Sequence, residues 1–360
     1  MKAAKLSDVA QAAGVSTSLV SLVMSGKGAN RCSAETEARI KEIAQQLGYR
    51  ANRLARSLKE QQTRTLGLLS IEVATTPYAG EMLMAAQRTA RSHDYDLFFV
   101  EVENNPKSIE EALDLMAEHQ VSGVLIAAFF HCEIKMPTNV PKNLVFANCF
   151  GSGLSHPTYV PAEYPSFMQS LKLLGIAGHK NVAFLTEEFP WPAAVARAKA
   201  FRDAANAFGW VNVEERIYAY DDTNSEDGYL GTLEMMMRDP EITAIACYND
   251  RLAMGAYQAL HELGISIPDQ VSIVGFDDLE LISAGLRPGL TTVRLPHYQM
   301  GREAVEHLIR ICEERDEATQ QTIEIRGELV VRDSVAAPRT STSSPAKPGI
   351  SNQTKEKEEK

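Results

Sequence analysis

The pattern of apolar and polar positions changes character twice along the chain. Residues 6–47 carry helical spacing in three short runs. Leu6, Val9 and Ala10 share one face, then Ala13-Gly14-Val15-Ser16 breaks the pattern. Gly14 supplies the left-handed conformation of a tight helix-ending turn. Ser16 is placed to cap a second helix, from Thr17 to about Ser25, whose inward face is Leu19, Val20 and Val23. Gly26–Asn30 reads as a loop. Ser33 caps a third helix with the stripe Ile40, Ile43, Ala44 and Leu47; Glu35 and Glu37 lie near its positive end and Gly48 stops it. Residues 49–64 differ in kind: Arg50, Arg53, Arg56, Lys59 and Arg64 punctuate a segment with few apolar anchors, too short for a stable isolated helix.

From Thr65 onward strand and helix patterns alternate. Strands are predicted at Leu66–Val73, Asp96–Glu101, Gly123–Ala128, Leu144–Ala147, Val182–Thr186, Arg216–Tyr220, Ala244–Cys247, Val271–Gly275 and Thr291–Leu295. Amphipathic helices near 79–92, 108–119, 165–177, 194–207, 225–237, 250–263 and 297–314 lie between them. Such alternation builds parallel sheets covered by helices. Roughly 270 residues of it divide better into two lobes than into one open sheet, with ligands expected at strand ends facing an interlobe cleft. Residues 336–360 hold almost nothing apolar and read as a disordered tail. The expected organisation is 1–48, an all-α headpiece; 49–64, a linker; 65–335, a two-lobed α/β body; and 336–360, the tail.

Charge sharpens this division. The whole chain carries a net charge of -11, which argues against a nucleic-acid binder if taken as one number. Residues 1–65 hold eleven Lys/Arg against five Asp/Glu, net +6, and the remainder holds 25 against 42, net -17. A small cationic module that attracts phosphates is joined to a large acidic body. A basic arm on an ordinary enzyme fits the charge equally well. The five cysteines, Cys32, Cys132, Cys149, Cys247 and Cys312, are widely spaced and suit a reduced cytosol. Neither a run of eighteen apolar residues nor an apolar leader occurs, so no membrane partner and a cytoplasmic location are expected. No G-x-S-x-G, H-E-x-x-H or C-x-x-C is present. Gly151-Ser152-Gly153 lacks the Lys-Ser/Thr pair of a phosphate loop. The expectation is therefore no catalytic residue, no metal and no cofactor.

Leu6 to Ser21 reads as a helix-turn-helix: small Ala10 and Gly14 with buried Val15 and Val20 let two helices cross closely, and the second projects polar residues from its N-terminus. A generic three-helix bundle shares the spacing. The residues then resemble the LacI/GalR family of transcriptional regulators. D-V-A-x-x-A-G-V-S is Asp8 to Ser16, and L-G-Y-x-x-N-x-x-A-R-S-L is Leu47 to Leu58. Further landmarks are Pro77-Tyr78, Gly178 to Ala183, Asn249-Asp250, Val274 to Asp278 and Glu328 to Ser334. The resemblance spans about residues 5–335. It implies two doubly wound parallel-sheet lobes of periplasmic-binding-protein type behind the headpiece. It also implies a homodimer on palindromic double-stranded DNA.

The resemblance sets Ser16, Thr17, Ser18, Ser21, Leu22 and Lys27 at the DNA. Leu22 stands where many members have Arg; it offers a thymine methyl an apolar contact instead of two hydrogen bonds to guanine. Ser21 also suits a phosphate-only contact. Residues 52–58 match the family's hinge helix, which sets Asn52 at the DNA, Arg53 and Arg56 on phosphates, Ala55 in the minor groove and Leu58 as a wedge between base steps. The alternatives are a buried linker residue for Leu58 and a solvated charge run for the arginines.

For the effector site the resemblance implies Tyr78, Asn148, Trp191, Arg197, Asn249 and Asp277. A guanidinium fork suits vicinal hydroxyls or a carboxylate, and Asp277 can accept two hydroxyls. A structural Arg197–Asp277 ion pair, a purely capping Asn249, a loop-capping Tyr78 and an exposed Trp191 are the bland alternatives. Thr223 falls where sugar- or base-stacking relatives often carry an aromatic ring. The implied function is a repressor of carbohydrate-utilisation genes answering to a sugar or sugar phosphate. A corepressor-dependent regulator using a nucleobase or other metabolite, and a soluble small-molecule-binding protein without a DNA role, are the competing readings.

Overall fold

The structure, a computed structural model, describes residues 4–24, 31–49, 63–74, 79–317 and 319–339. Lys27, Asn52, Arg53, Ala55, Arg56, Leu58 and Tyr78 lie outside the described residues, as does the sequence from 340 onward. The chain falls into two units, residues 1–65 with 120–122, and the rest.

In the first unit, α1 (Leu6–Ala13) starts where Asp8 accepts a hydrogen bond from the Lys5 N–H, at 2.9 Å. Gly14 ends it at φ 64°. The chain then bends by 107° into α2 (Thr17–Met24), within the range for a helix-turn-helix. Ser16 caps α2, its Oγ accepting the Leu19 N–H at 3.2 Å. Ser33 caps α3 (Ala34–Gln46) in the same way through the Thr36 N–H. Val9, Ala10, Ala13, Val20, Val23, Ile40 and Ala44 form the shared core.

The second unit is two parallel sheets. In the first lobe run β1 (Thr65–Ile71), α4 (Gly80–Ser92), β2 (Asp96–Glu101), α5 (Pro106–Glu118), β3 (Gly123–Ile134), β4 (Leu144–Gly151) and β5 (Thr158–Pro161). The second lobe follows with α6 (Glu163–Ala177), β6 (Val182–Glu187), α7 (Pro192–Phe208), β7 (Ile217–Tyr220), α8 (Ser225–Arg238), β8 (Ala244–Cys247), α9 (Asp250–Glu262), β9 (Ser272–Val274), α10 (Glu280–Ser283) and β10 (Thr292–Arg294). The chain then returns to the first lobe with α11 (His297–Cys312) and β11 (Thr322–Ile325), and ends with β12 (Glu328–Val330), paired antiparallel to β10. The strand orders are β11-β5-β4-β3-β1-β2 and β7-β6-β8-β9. Buried Leu66, Leu68, Leu125 and Val145 pack with Met300, Ala304 and Leu308 of α11 in the first lobe. Phe167, Phe184, Phe201 and Phe276 centre one core of the second.

Two local features stand out in the lobes. β3 runs six residues past its predicted end. Its pairing with β4 jumps from Ala127↔Ala147 to Cys132↔Cys149, so four residues of β3 oppose the single residue Asn148. Bulges of this kind re-aim side chains. In the second lobe, α8 and α9 cross backbone to backbone. A Cβ on Gly228 would stand 2.2 Å from the Leu252 carbonyl oxygen, and one on Gly255 2.0 Å from that of Ser225. Strands β5, β11 and β12 have three or four residues each and escape periodicity. Ala336, the expected start of the tail, is instead held. Its N–H donates to Ser272 Oγ at 3.0 Å and its carbonyl lies 2.9 Å from His179 Nε2.

Candidate functional site

A cavity of about 200 Å³ lies where the carboxyl ends of the two sheets meet. It is below the ~300–1,000 Å³ of sites for drug-sized ligands and suits a smaller molecule. The first lobe contributes the β3 bulge, Phe129, Phe130 and His131, together with Asn148. The second contributes Glu187, Trp191, Arg197, Thr223, Tyr248, Asn249 and Asp277, with Asp222 and Arg251 exposed at the rim. Pro161 and Glu163, at the first passage between lobes, complete it with Leu295 at the second.

Five of the six expected pocket residues are brought together; Tyr78 lies outside the described residues. Arg197 is 3% exposed. Its partner is Glu163, not Asp277: Nε and Nη2 donate to Glu163 Oε2 at 2.9 and 2.8 Å, and Nη1 to the Tyr248 carbonyl at 2.5 Å. Its carbon lies 3.6 Å from the centroid of the Phe276 ring and 4.4 Å from that of Tyr248. The fork is thus engaged on its edges and on its flat surfaces.

Asp277 is half-buried, and its carboxyl is raised to about 7 by burial and the Glu163 charge, against the lowering effect of Arg197 and Arg251. Its neighbour Asp278 does different work. Asp278 accepts from Arg294, Arg332 and Ser283, and these contacts hold it below the usual carboxylate range against burial. Asn249 caps α9 through the Leu252 N–H at 2.8 Å and donates to both oxygens of Thr223 at 3.0 and 3.1 Å. Its hydrogen-bonding capacity is largely spent on structure, as the capping alternative holds. Trp191 is half-buried between two prolines and meets Phe130 of the other lobe edge-on at 5.1 Å, so it is no exposed loop residue.

Asn148 is 2% exposed at φ 57° and donates to the Ala128 carbonyl at 3.1 Å. Among the described residues, nothing partners its Oδ1, nor Nδ1 of His131. Burial, with the Arg197 charge, lowers the His131 pKa against the pull of Glu163, and keeps the ring neutral. Backbone strain collects here too. Asn148, Thr223 at φ 48° and Asp277 at φ 110° all have positive φ, at about 1–3 kcal/mol each where the residue is not suited to it.

Sequence reasoning missed Glu163, the Phe129-Phe130-His131 bulge, Tyr248 and Glu187. The signal for Glu163 was a carboxylate two residues after the short β5, a strand with no visible periodicity. In the headpiece, Ser16, Thr17 and Ser18 are exposed at the N-terminal end of α2, while Ser21 and Leu22 are half-buried. The Ser16 hydroxyl is committed to its cap as acceptor, and its proton remains to be donated.

Two family descriptions match the chain: "Bacterial regulatory proteins, lacI family" over residues 5–52, and "Periplasmic binding proteins and sugar binding domain of LacI family" over residues 63–331. The HTH-type transcriptional regulator AscG of Escherichia coli is 30% identical over 339 residues, covering 92% of this chain and 98% of its own. The HTH-type transcriptional repressor PurR of Histophilus somni is 29% identical, covering 92% and 99%. The crystal structure of the lac repressor dimer bound to operator and an anti-inducer shares the fold. It has a TM-score of 0.72 and 23% identity, and covers 93% of this chain and 100% of its own. The helix-turn-helix headpiece, the two parallel-sheet lobes and these matches together make the chain a member of the LacI family of bacterial DNA-binding transcriptional regulators, proteins that act on DNA in the cytoplasm and are not enzymes.

Proposed function

We propose that this regulator represses carbohydrate-utilisation genes and that a small sugar-like effector in the interlobe cavity sets its operator affinity. The observation that carries the reading is the composition of the cavity. Phe130, Trp191 and Tyr248 offer flat apolar surfaces, while Asn148 and Asp277 offer acceptors from opposite lobes. A polyhydroxylated ring uses both: its C–H faces lie on rings and its O–H groups donate to oxygens. The sugar-binding description of the matching family supports the same class.

On this reading residues 1–48 read DNA, 49–64 form the hinge, and 65–335 bind effector and pair two subunits. Ser16, Thr17, Ser18, Ser21, Leu22 and Lys27 face the operator's major groove. Asn52, Arg53, Ala55, Arg56 and Leu58 lie over its minor groove when two copies meet. A metabolite that strengthens DNA binding is the second reading, favoured by the relationship to a PurR repressor. A thermal-shift screen of monosaccharides, disaccharides and purines, followed by operator titration with each hit, tests both. A ligand at 100 times its Kd stabilises by about 2.7 kcal/mol. A sugar that shifts melting and weakens operator binding supports the proposal. A purine that strengthens operator binding, with no sugar active, overturns it.

A further inference from the structure

The formal charges around the cavity do not favour an anion. Arg197, the cation expected to receive vicinal hydroxyls or a carboxylate, is neutralised by Glu163 and enclosed by two rings. Of the remaining lining groups, Glu187, Asp222 and Asp277 are acids and Arg251 is the single cation, while His131 is neutral. The lining therefore carries a net charge of about -2 once Asp277 is ionised. Two buried polar atoms are left over in the lining: Asn148 Oδ1, an acceptor, and His131 Nδ1, which donates or accepts according to its tautomer.

Resting on the sugar-effector reading, we infer that the cavity selects against phosphorylated and carboxylated ligands. Its effector is a donor-rich polyol that is uncharged or carries an ammonium group. Glu163 is the selecting residue: it occupies the guanidinium that would otherwise pair with an anionic substituent. An anion entering the cavity would have to displace a buried carboxylate from its partner and then lie beside it. A hydroxyl or ammonium needs no such exchange, because Asp277 and Asn148 are already acceptors.

The test uses the full chain in thermal-shift titrations. The probes are glucose, galactose and mannose, each as the neutral sugar, the 2-amino sugar, the uronate and the 6-phosphate, with inorganic phosphate alone as a further probe. Wild type should respond to the neutral or amino form of a scaffold at concentrations at least tenfold below its uronate or phosphate. Glu163→Gln frees the fork, so its half-saturating concentration for phosphate or uronate should fall at least tenfold, the worth of one charged hydrogen-bonded contact. Asp222→Asn, at an exposed position on the rim, should move the anion response the same way by about threefold. If no hexose of any form shifts wild type but these variants gain an anion response, the charge inference stands independently of the sugar reading. The inference is overturned if wild type prefers an anionic form to its neutral parent. It is equally overturned if neither variant improves the anion response.

Discussion

Asp277 gives a pH-dependent stability whose sign and size follow from its surroundings. Burial and the Glu163 charge raise its carboxyl to about 7, from the ordinary 3.8. Because the folded-state value lies above the unfolded one, the native chain binds a proton more tightly than the unfolded chain between pH 4 and 7. Its contribution is therefore complete below pH 4 and is lost as pH rises through 7. The upper limit is ~1.4 kcal/mol per pH unit. The side chain is half-buried, so solvent screening reduces this, and about 2 kcal/mol over the whole window is the reasonable expectation. Asn cannot titrate. The stability of wild type minus that of Asp277→Asn should therefore fall by about this much between pH 4 and 7, and level off above pH 8. Shifted groups remote from Asp277 are common to both proteins and cancel; Asp250, raised by burial and then by the Asp277 charge, is coupled to it and adds to the difference in the same direction. Chemical denaturation at half-unit pH steps gives the curve. A flat difference, or wild type gaining relative stability as pH rises, would refute the placement of Asp277 in a desolvated, carboxylate-facing pocket. Ligand hydroxyls that donate to the ionised carboxylate would add a second signature: effector affinity rising about tenfold from pH 6 to 8, and not in the Asn variant.

Three further outcomes probe the scaffold around that pocket. Arg197→Met strands the Glu163 charge and should cost about 3–5 kcal/mol in denaturant titrations; adding Glu163→Gln should recover at least 1 kcal/mol of that loss. Gly228→Ala places a Cβ 2.2 Å from the Leu252 carbonyl oxygen and should destabilise by about 1–3 kcal/mol, whereas Gly80→Ala, with open space at a helix start, should be neutral or slightly stabilising. Asn249→Ala should lose about 1 kcal/mol with its cap; Asn249→Asp keeps the cap but sets a carboxylate oxygen against the Thr223 carbonyl, so that it should recover at most part of that stability while ligand titrations stay weakened.

The headpiece was legible because each of its devices is local. Gly14 and the caps Ser16 and Ser33 act within four residues of where they stand. The longer strands and helices of the body were legible by period. Strands β5, β11 and β12 were not: they fall outside the strand-helix alternation that flagged the equally short β7 to β10, and their pairing partners are distant in sequence. The same distance hid Glu163: its partner Arg197 lies 34 residues on, and nothing near either residue announces the pair. The β3 bulge was hidden differently. Gly123–Ala128 ends in an apolar run that looks complete, and whether Phe129 and Phe130 continue a strand or bulge from it depends on the strand beside them.

The position of the cavity explains how a small molecule could move the whole body. The chain passes between the lobes three times: from β5 to α6, from β10 to α11, and from β11 to β12. Pro161 and Glu163 flank the first passage and Leu295 opens the second, and all three line the cavity. Gly327, in the third, donates to Ser166 Oγ at 2.9 Å near the start of α6, tying that passage to the first. Phe130 and Trp191 add a ring contact directly between the lobes. Short connecting segments are where hinge motion is absorbed. A ligand shifts the balance between lobe arrangements only by as much as it binds one better than another. A molecule held by the second lobe alone, on Asp277 and Tyr248, would stabilise the protein without regulating it. One that also engages Asn148 and the Phe130–Trp191 contact binds one arrangement in preference. On the proposed effector reading, binding and regulation are separable at this site, through Asn148 and the Phe130–Trp191 contact.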